Sequence, residues 1–518
     1  MGPFDLSYGE FNSLVVGRTR QFFNAVGYVA GCSGNKLSLT RPLLGELLSQ
    51  ATQIEELLDS YGARNNCRWA RFRSLTAAIK LFSNVSYELL HIQHSIPAYR
   101  LLGASTEFSN STDDTLVFTK SILHKASKQL ISEAEKLHLP TASQLEDTYL
   151  NEKLPEGRLP HDLAMRKISE VSKTVSMLAT AFLNLSAESR KYLFNNEPIP
   201  NMPGNKSNGS VSEEKLRSFE LRFHNLQSLY DTYVSTTEAE VLDDNLPVLR
   251  GHISVVLHLL RTARDFAHYY ERHACPVAHK TAMKSDSNNP GPQAGSFNYR
   301  AAVKRKRLVD PELLQDTLTD YCKYYVDQFL ANAEQLCRNM LKRYTELGKV
   351  NVYVPPYRGF HVRPSTLISK LVMHYGSEVK MALSEDTYDA SSPLELFRAN
   401  EKINAHKRRS LAKEIISLDL LSSISETRDF CDLVRNVVVT LAESGKVIIY
   451  EHPLKIDPIE NHKGAKLVER VTDEIAKLLV MGKIDIVTNI KATFTGDKRV
   501  LEDIRLLAEN GYGEDNHG

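Results

Sequence analysis

Gly359-Phe360-His361-Val362-Arg363-Pro364-Ser365-Thr366 is the stretch on which the reading of this chain turns. A short β-type run, Val350-Asn351-Val352-Tyr353-Val354, enters it. An apolar stripe at helical spacing, Leu367, Ile368, Leu371, Val372 and Tyr375, leaves it. Pro364 suits the first turn of that helix, where a missing N–H costs nothing. His361 is therefore predicted just ahead of a helix N-terminus, with Arg363 beside it. Unpaired backbone N–H groups and the helix dipole both favour negative charge at such a place. A neutral imidazole there can attack phosphorus, and the group it acquires meets donors already in position. Over the octet alone, a plain surface histidine before a helix-starting proline is the better reading; the flanking pattern reverses this.

The pattern around the octet resembles the histidine-containing phosphocarrier (HPr) family, whose signature is Gly-x-His-x-Arg-Pro. After the first helix, Glu378-Val379-Lys380-Met381-Ala382-Leu383-Ser384 and Asp386-Thr387-Tyr388-Asp389 read as a second strand, a turn and a third strand. Ser391-Ser392-Pro393-Leu394-Glu395-Leu396-Phe397 then looks like the start of a second helix. Ser392 lies 31 residues after His361, the separation at which the family carries its regulatory serine. Leu394 and Phe397 fall where the family has apolar residues that dock partners. Ile490-Lys491-Ala492-Thr493 through Thr495-Gly496-Asp497-Lys498, followed by residues 501–513, resembles the last strand, turn and helix.

The departures carry information too. The family domain needs only about 70 residues after its histidine, roughly half of what this chain carries. An insertion on the order of 80 residues is therefore expected, at about 400–482. It has helical runs around 409–421 and 426–444 and a strand-like Lys446-Val447-Ile448-Ile449-Tyr450. That strand rivals the closing strand of the domain, so two registers stay open for its second half.

With 518 residues, the chain is too long for one core. Charge is balanced at +1, with 64 basic and 63 acidic residues, which argues against a general nucleic-acid binder. The cysteines Cys32, Cys67, Cys275, Cys322, Cys337 and Cys431 are scattered without paired spacing, as in reduced cytoplasmic thiols. Met1-Gly2-Pro3-Phe4-Asp5-Leu6 has neither a basic region nor an apolar core, so no signal peptide is expected. No apolar run approaches the length of a membrane span.

Residues 40–275 read as helices, with candidate spans 41–61, 68–94, 115–138, 161–194, 212–239 and 248–273. Thr40, Asp114 and Ser212 are candidate caps, and Gly62 and Pro97 candidate breakers. Such helices hide one stripe each and must pack as a bundle. Residues 195–208 and 285–298 are rich in breakers and read as loops. Lys304-Arg305-Lys306-Arg307 reads as a solvated basic segment, and a long helix is expected from Asp310-Pro311 to about Leu347. The expected division is a helical bundle at 1–280, a flexible linker at 281–309, a connecting helix at 310–347 and a phosphocarrier-like domain at 348–518. The fold class is thus multidomain. It combines a mainly α N-terminal region with a C-terminal α+β open-faced β-sandwich like that of HPr, the latter carrying an inserted α/β module.

Other constellations are weaker. His268, His273, Cys275 and His279 cluster without a recognised zinc spacing, so no metal is expected, and no cofactor. His91 and His94 could share a helix face as ordinary interface residues. There is no phosphate-binding Gly-rich loop, nucleophile elbow or kinase set. Nor is there the Thr-Ser-His motif of enzyme I, the usual donor to such a carrier.

The resemblance implies a phosphoryl carrier or regulator of the phosphoenolpyruvate-dependent phosphotransferase system in a bacterial cytoplasm. His361 would accept the phosphoryl group and Arg363 would neutralise it. The helix start at Pro364, Ser365 and Thr366 would support the phosphate. Ser392, or Ser391, is the candidate for a serine kinase, and added charge there would weaken docking at Leu394 and Phe397. The implied partners are an enzyme I-type donor and a downstream acceptor protein. The alternative is a scaffold that uses the fold for contacts alone.

Overall fold

Helices with apolar residues every three or four positions each need a partner for one stripe, and most of this chain meets that need with other helices. The computed structural model describes residues 6–32, 37–103, 106–141, 165–167, 170–194, 212–274, 308–417, 419, 429–456 and 466–513. The loops expected at 195–208 and 285–298, the basic cluster at 304–307, Cys275 and His279 lie outside the described residues. The chain divides into two compact units, Met1–Val171 with Ala181–Cys337, and Ser172–Thr180 with Arg338–Gly518.

The first unit is helical. Its elements are α1 (Tyr8–Gly31), α2 (Arg41–Ser60), α3 (Ala70–Tyr99), α4 (Thr106–Lys136), the second half of α5 (Val171–Ser189), α6 (Glu213–Tyr233), α7 (Glu238–Leu242), α8 (Asn245–Tyr269), α9 (Pro311–Asp316) and most of α10 (Tyr324–Tyr344). Thr40 and Ser212 cap α2 and α6 as expected, each hydroxyl accepting from a backbone N–H at 3.3 Å. Helix α8 is enclosed on all sides, since every residue from Gly251 to Leu257 is buried. It lies against α3, and Gly251 makes the approach possible: a Cβ there would sit 2.1 Å from the Tyr99 carbonyl oxygen.

Several sequence expectations need correction here. Helix α1 is absent from the sequence reading, yet Phe11, Val15, Phe22, Val26 and Val29 are buried along it, and Ser7 and Glu10 close a reciprocal capping box. Helix α3 does not stop before Pro97 but carries it in its last turn, where one missing hydrogen bond is cheap, and ends at left-handed Arg100. Helix α4 begins at Thr106, so Asp114 is interior and caps nothing. The long helix expected from 310 to 347 contains a π-helical stretch, Thr317–Lys323, and ends at Tyr344.

The second unit is built on a four-stranded antiparallel sheet of β1 (Leu347–Tyr353), β2 (Val379–Leu383), β3 (Asp386–Asp389) and β6 (Lys491–Asp497), in the order β1-β6-β2-β3. Alternation places Val379, Met381, Leu383, Ala492 and Phe494 on one face. Helices α11 (Val362–Tyr375) and α16 (Lys498–Glu509) cover that face with Ile368, Val372, Val500, Leu501 and Ile504. Short α12 (Pro393–Arg398) adds Leu396 to the same core.

Between α12 and β6 stands a module with a core of its own. It comprises α13 (Asn400–Ser417), α14 (Phe430–Glu443), β4 (Val447–Ile449), α15 (Leu467–Val480) and β5 (Ile484–Ile486). Leu411, Val434, Val438, Val471, Ile475 and Leu478 pack under the β4–β5 pair. This resolves the two open registers: β4 pairs with β5, and the strand that closes the four-stranded sheet is β6. The module reaches Ile486, four residues beyond the expected boundary.

Candidate functional site

The chain leaves β1 through Pro355 and Pro356 and must reverse before α11. Arg358 and Gly359 accomplish this with φ of 54° and 60°. A hydrogen is all that fits at Gly359, where a Cβ would meet Asn400 Oδ1 at 2.3 Å. That same oxygen accepts the Phe360 N–H at 2.8 Å. The Phe360 ring is buried in the core beside Phe494 and Tyr512, so the loop has a fixed point directly before His361.

His361 is the N-cap of α11, with extended backbone and no capping hydrogen bond from its side chain. The imidazole is half-buried, edge-on to the Tyr357 ring at 5.6 Å, and Tyr357 in turn stands edge-on to Tyr450 at 5.0 Å. His361 Nδ1 lies 3.3 Å from the Gly359 carbonyl oxygen. A carbonyl only accepts, so this contact places the proton on Nδ1 and the lone pair on Nε2. Arg363 and Val362 are exposed at the first helical positions, where backbone N–H groups have no intrahelical acceptor.

The expected phosphate support is arranged differently. Pro364 has no N–H. Ser365 commits its N–H to His361 O at 3.1 Å and its hydroxyl to Phe360 O at 2.7 Å. Thr366 lies within the helical ladder. The amides placed for an anion are therefore those of Val362 and Arg363, two residues earlier than the helix start of the sequence reading.

Ser392, not Ser391, is the N-cap of α12, its hydroxyl accepting from Glu395 N at 3.3 Å. Ser391 donates its N–H to Asp389 and accepts the Ser369 hydroxyl, which links α11 to the start of α12. Leu394 is 75% exposed and Phe397 49%, large apolar surfaces on a helix whose Leu396 is buried.

Four contributors to this loop escape the sequence reading. Asp485 of β5 accepts the Arg358 N–H at 2.9 Å. Lys407 of α13 pairs with Asp485 and donates to Pro356 O at 3.2 Å. Asn400 and Tyr450 also come from the inserted module or its border. The Arg358 guanidinium lies across Gly482, where a Cβ would come within 2.6 Å of it.

The other histidines singled out in the sequence have different surroundings. His268 Nδ1 meets Glu213 at 3.0 Å, and burial, then the charge of His268, pushes His273 down to about 4. His91 is half-buried against Tyr99 and His258, whereas His94 is exposed. Among the described residues no group of three or more His, Cys, Asp or Glu is placed to hold a metal, and no helix is long and apolar enough to cross a membrane. No family model, curated protein or solved structure matches the chain.

Proposed function

We propose that the second unit is an HPr-like phosphoryl carrier of the phosphoenolpyruvate-dependent phosphotransferase system, with His361 as acceptor and Arg363 as the phosphate-neutralising cation. The observation that carries this reading is the pairing of His361, at the N-cap of a 14-residue helix, with an exposed Arg363 two positions along. The order of elements supports it: strand, loop with histidine, helix, two strands, serine-capped helix, then after the insertion a closing strand and helix.

In the transfer, a lone pair on the His361 ring attacks the phosphorus of a phosphohistidine on an enzyme I-type donor. The new N–P bond forms as the donor's N–P bond breaks, and its electron pair returns to the donor imidazole. The Nδ1 proton stays against the Gly359 carbonyl, and the donor imidazole, protonated on its other nitrogen, leaves as the neutral ring. The amides of Val362 and Arg363 and the Arg363 guanidinium stabilise the phosphoryl oxygens. Transfer to a downstream acceptor protein reverses these steps. Ser392 phosphorylation by a serine kinase would set a double negative charge beside Leu394 and Phe397 and weaken apolar docking there.

Intact-mass measurement of the full chain with phosphoenolpyruvate and an enzyme I-type donor tests the reading. A gain of one acid-labile phosphate that disappears in His361→Ala is expected. No gain beside an active donor would leave the second reading, a scaffold whose exposed Val362, Leu394 and Phe397 hold a partner.

A further inference from the structure

The backbone before His361 is held where it would not stay unaided. Arg358 and Gly359 are successive left-handed residues, and only the glycine adopts that conformation without strain. Asp485 Oδ2 takes the Arg358 N–H at 2.9 Å. Oδ1 of the same carboxylate takes the Ile486 N–H at 2.6 Å and the Lys407 ammonium. Lys407 also donates to Pro356 O at 3.2 Å, so the pair grips the loop on both sides of Tyr357. Both side chains are sealed from solvent, at 3% and 2% exposure. A sealed ion pair adds little net stability, because desolvation offsets most of its attraction. What it does supply is a fixed direction for a carboxylate oxygen.

We propose that Asp485, oriented by Lys407, is the positioning residue of the acceptor loop, and that the inserted module is the template on which the loop is shaped. The proposal rests on the reading of His361 as the phosphoryl acceptor. Neither side chain touches the transferred group. They act through the backbone, by holding Arg358 left-handed so that Phe360 seats in the core and His361 takes the N-cap of α11. Tyr450, on the same module, also contacts the loop, through Tyr357.

Two double variants of the full chain separate this role from general stability. Lys407→Met with Asp485→Asn removes both charges and keeps an oxygen for the Arg358 N–H. Lys407→Met with Asp485→Leu also removes both charges but leaves that N–H without an acceptor. The first loses the Lys407 contacts but keeps the acceptor and is expected to fall only about 3-fold in kcat/KM for the donor, the second about 100-fold. The ring 1H–15N signals of His361 are expected to move much further in the second than in the first. Equal transfer and equal ring signals in the two variants would overturn the proposal.

Should the wild-type chain take no phosphoryl group at all, the functional reading fails, and the ring signals still decide the positioning role. Exchange of the Arg358 amide in the wild-type chain needs no variant. Protection matching the amides of β5 supports the proposal, and exchange at the rate of an open loop overturns it.

Discussion

His252 and His361 are the same side chain in opposite circumstances. His252 sits in the middle of α8 with no solvent exposure, its Nδ1 3.1 Å from Phe329 O and its Nε2 accepting the Leu102 N–H at 3.0 Å. Both nitrogens are satisfied only in the neutral ring. Burial accordingly pushes its pKa from 6.5 down to about 4, against the opposing hydrogen bond to Phe329. His361 is half-buried at a helix start, with one nitrogen against a carbonyl and an exposed arginine close by in sequence. The difference teaches that access, more than the residue type, separates a histidine built into a core from one set at a helix start.

The largest effects should come from exchanging the two deletions. His361→Ala is expected to abolish phosphoryl uptake by intact mass while leaving the denaturation midpoint in place. His252→Ala should keep uptake and cost about 3 kcal/mol in chemical denaturation, because it opens a cavity and strands two buried backbone groups. If His252→Ala instead removed uptake without lowering stability, the comparison would collapse.

The next effect is a pH dependence. The unfolded chain binds a proton at position 252 near pH 6.5, and the folded chain only near 4. Stability from this group is therefore complete above pH 6.5 and falls as the pH drops towards 4, by about 3 kcal/mol. His252→Gln keeps one donor and one acceptor without a titrating ring. Denaturation at pH 7 and pH 4 should show a smaller acid loss in this variant than in the wild type. An identical loss would remove His252 as its source.

Two smaller tests concern the acceptor loop. Gly359→Ala forces a Cβ onto Asn400 Oδ1 and a side chain into left-handed backbone, a cost of about 2 kcal/mol by denaturation. Phosphoryl uptake should slow with it. Tyr450→Ala deletes the edge-to-face contact with Tyr357 and should cost about 1 kcal/mol. Its clearer readout is a shift of the His361 ring signals, because the change reaches that ring through Tyr357.

Much of this frame was legible in the sequence. The octet at 359–366, the stripe from Leu367 to Tyr375 and the capping residues Thr40, Ser212 and Ser392 all follow local rules, since caps and amphipathic faces are written within a few residues. What escaped depends on distance along the chain. Asp485 meets Arg358 across 127 positions, and Asn400 meets Phe360 across 40. No periodicity encodes such a meeting. The signal available was an acid between two isoleucines in a strand buried at every position, which calls for a partner without naming it. Helix α1 carried a readable stripe of its own. At the end of α3, Pro97 misled because a proline breaks a helix interior but not its final turn.

The strand order also dictates when the loop can take shape. Strand β6 lies between β1 and β2, yet Thr493 follows its neighbour Asn351 by 142 residues. At ribosomal speed, roughly 10 s separate the emergence of these two strands. Throughout that interval β1 and β2 each present an unpaired edge, the kind of edge that invites intermolecular pairing. The inserted module has its own core and is complete at Ile486, five residues before β6 begins. A nascent chain can therefore fold the template first, gather the loop onto Asp485, and insert the last strand into a gap already shaped for it.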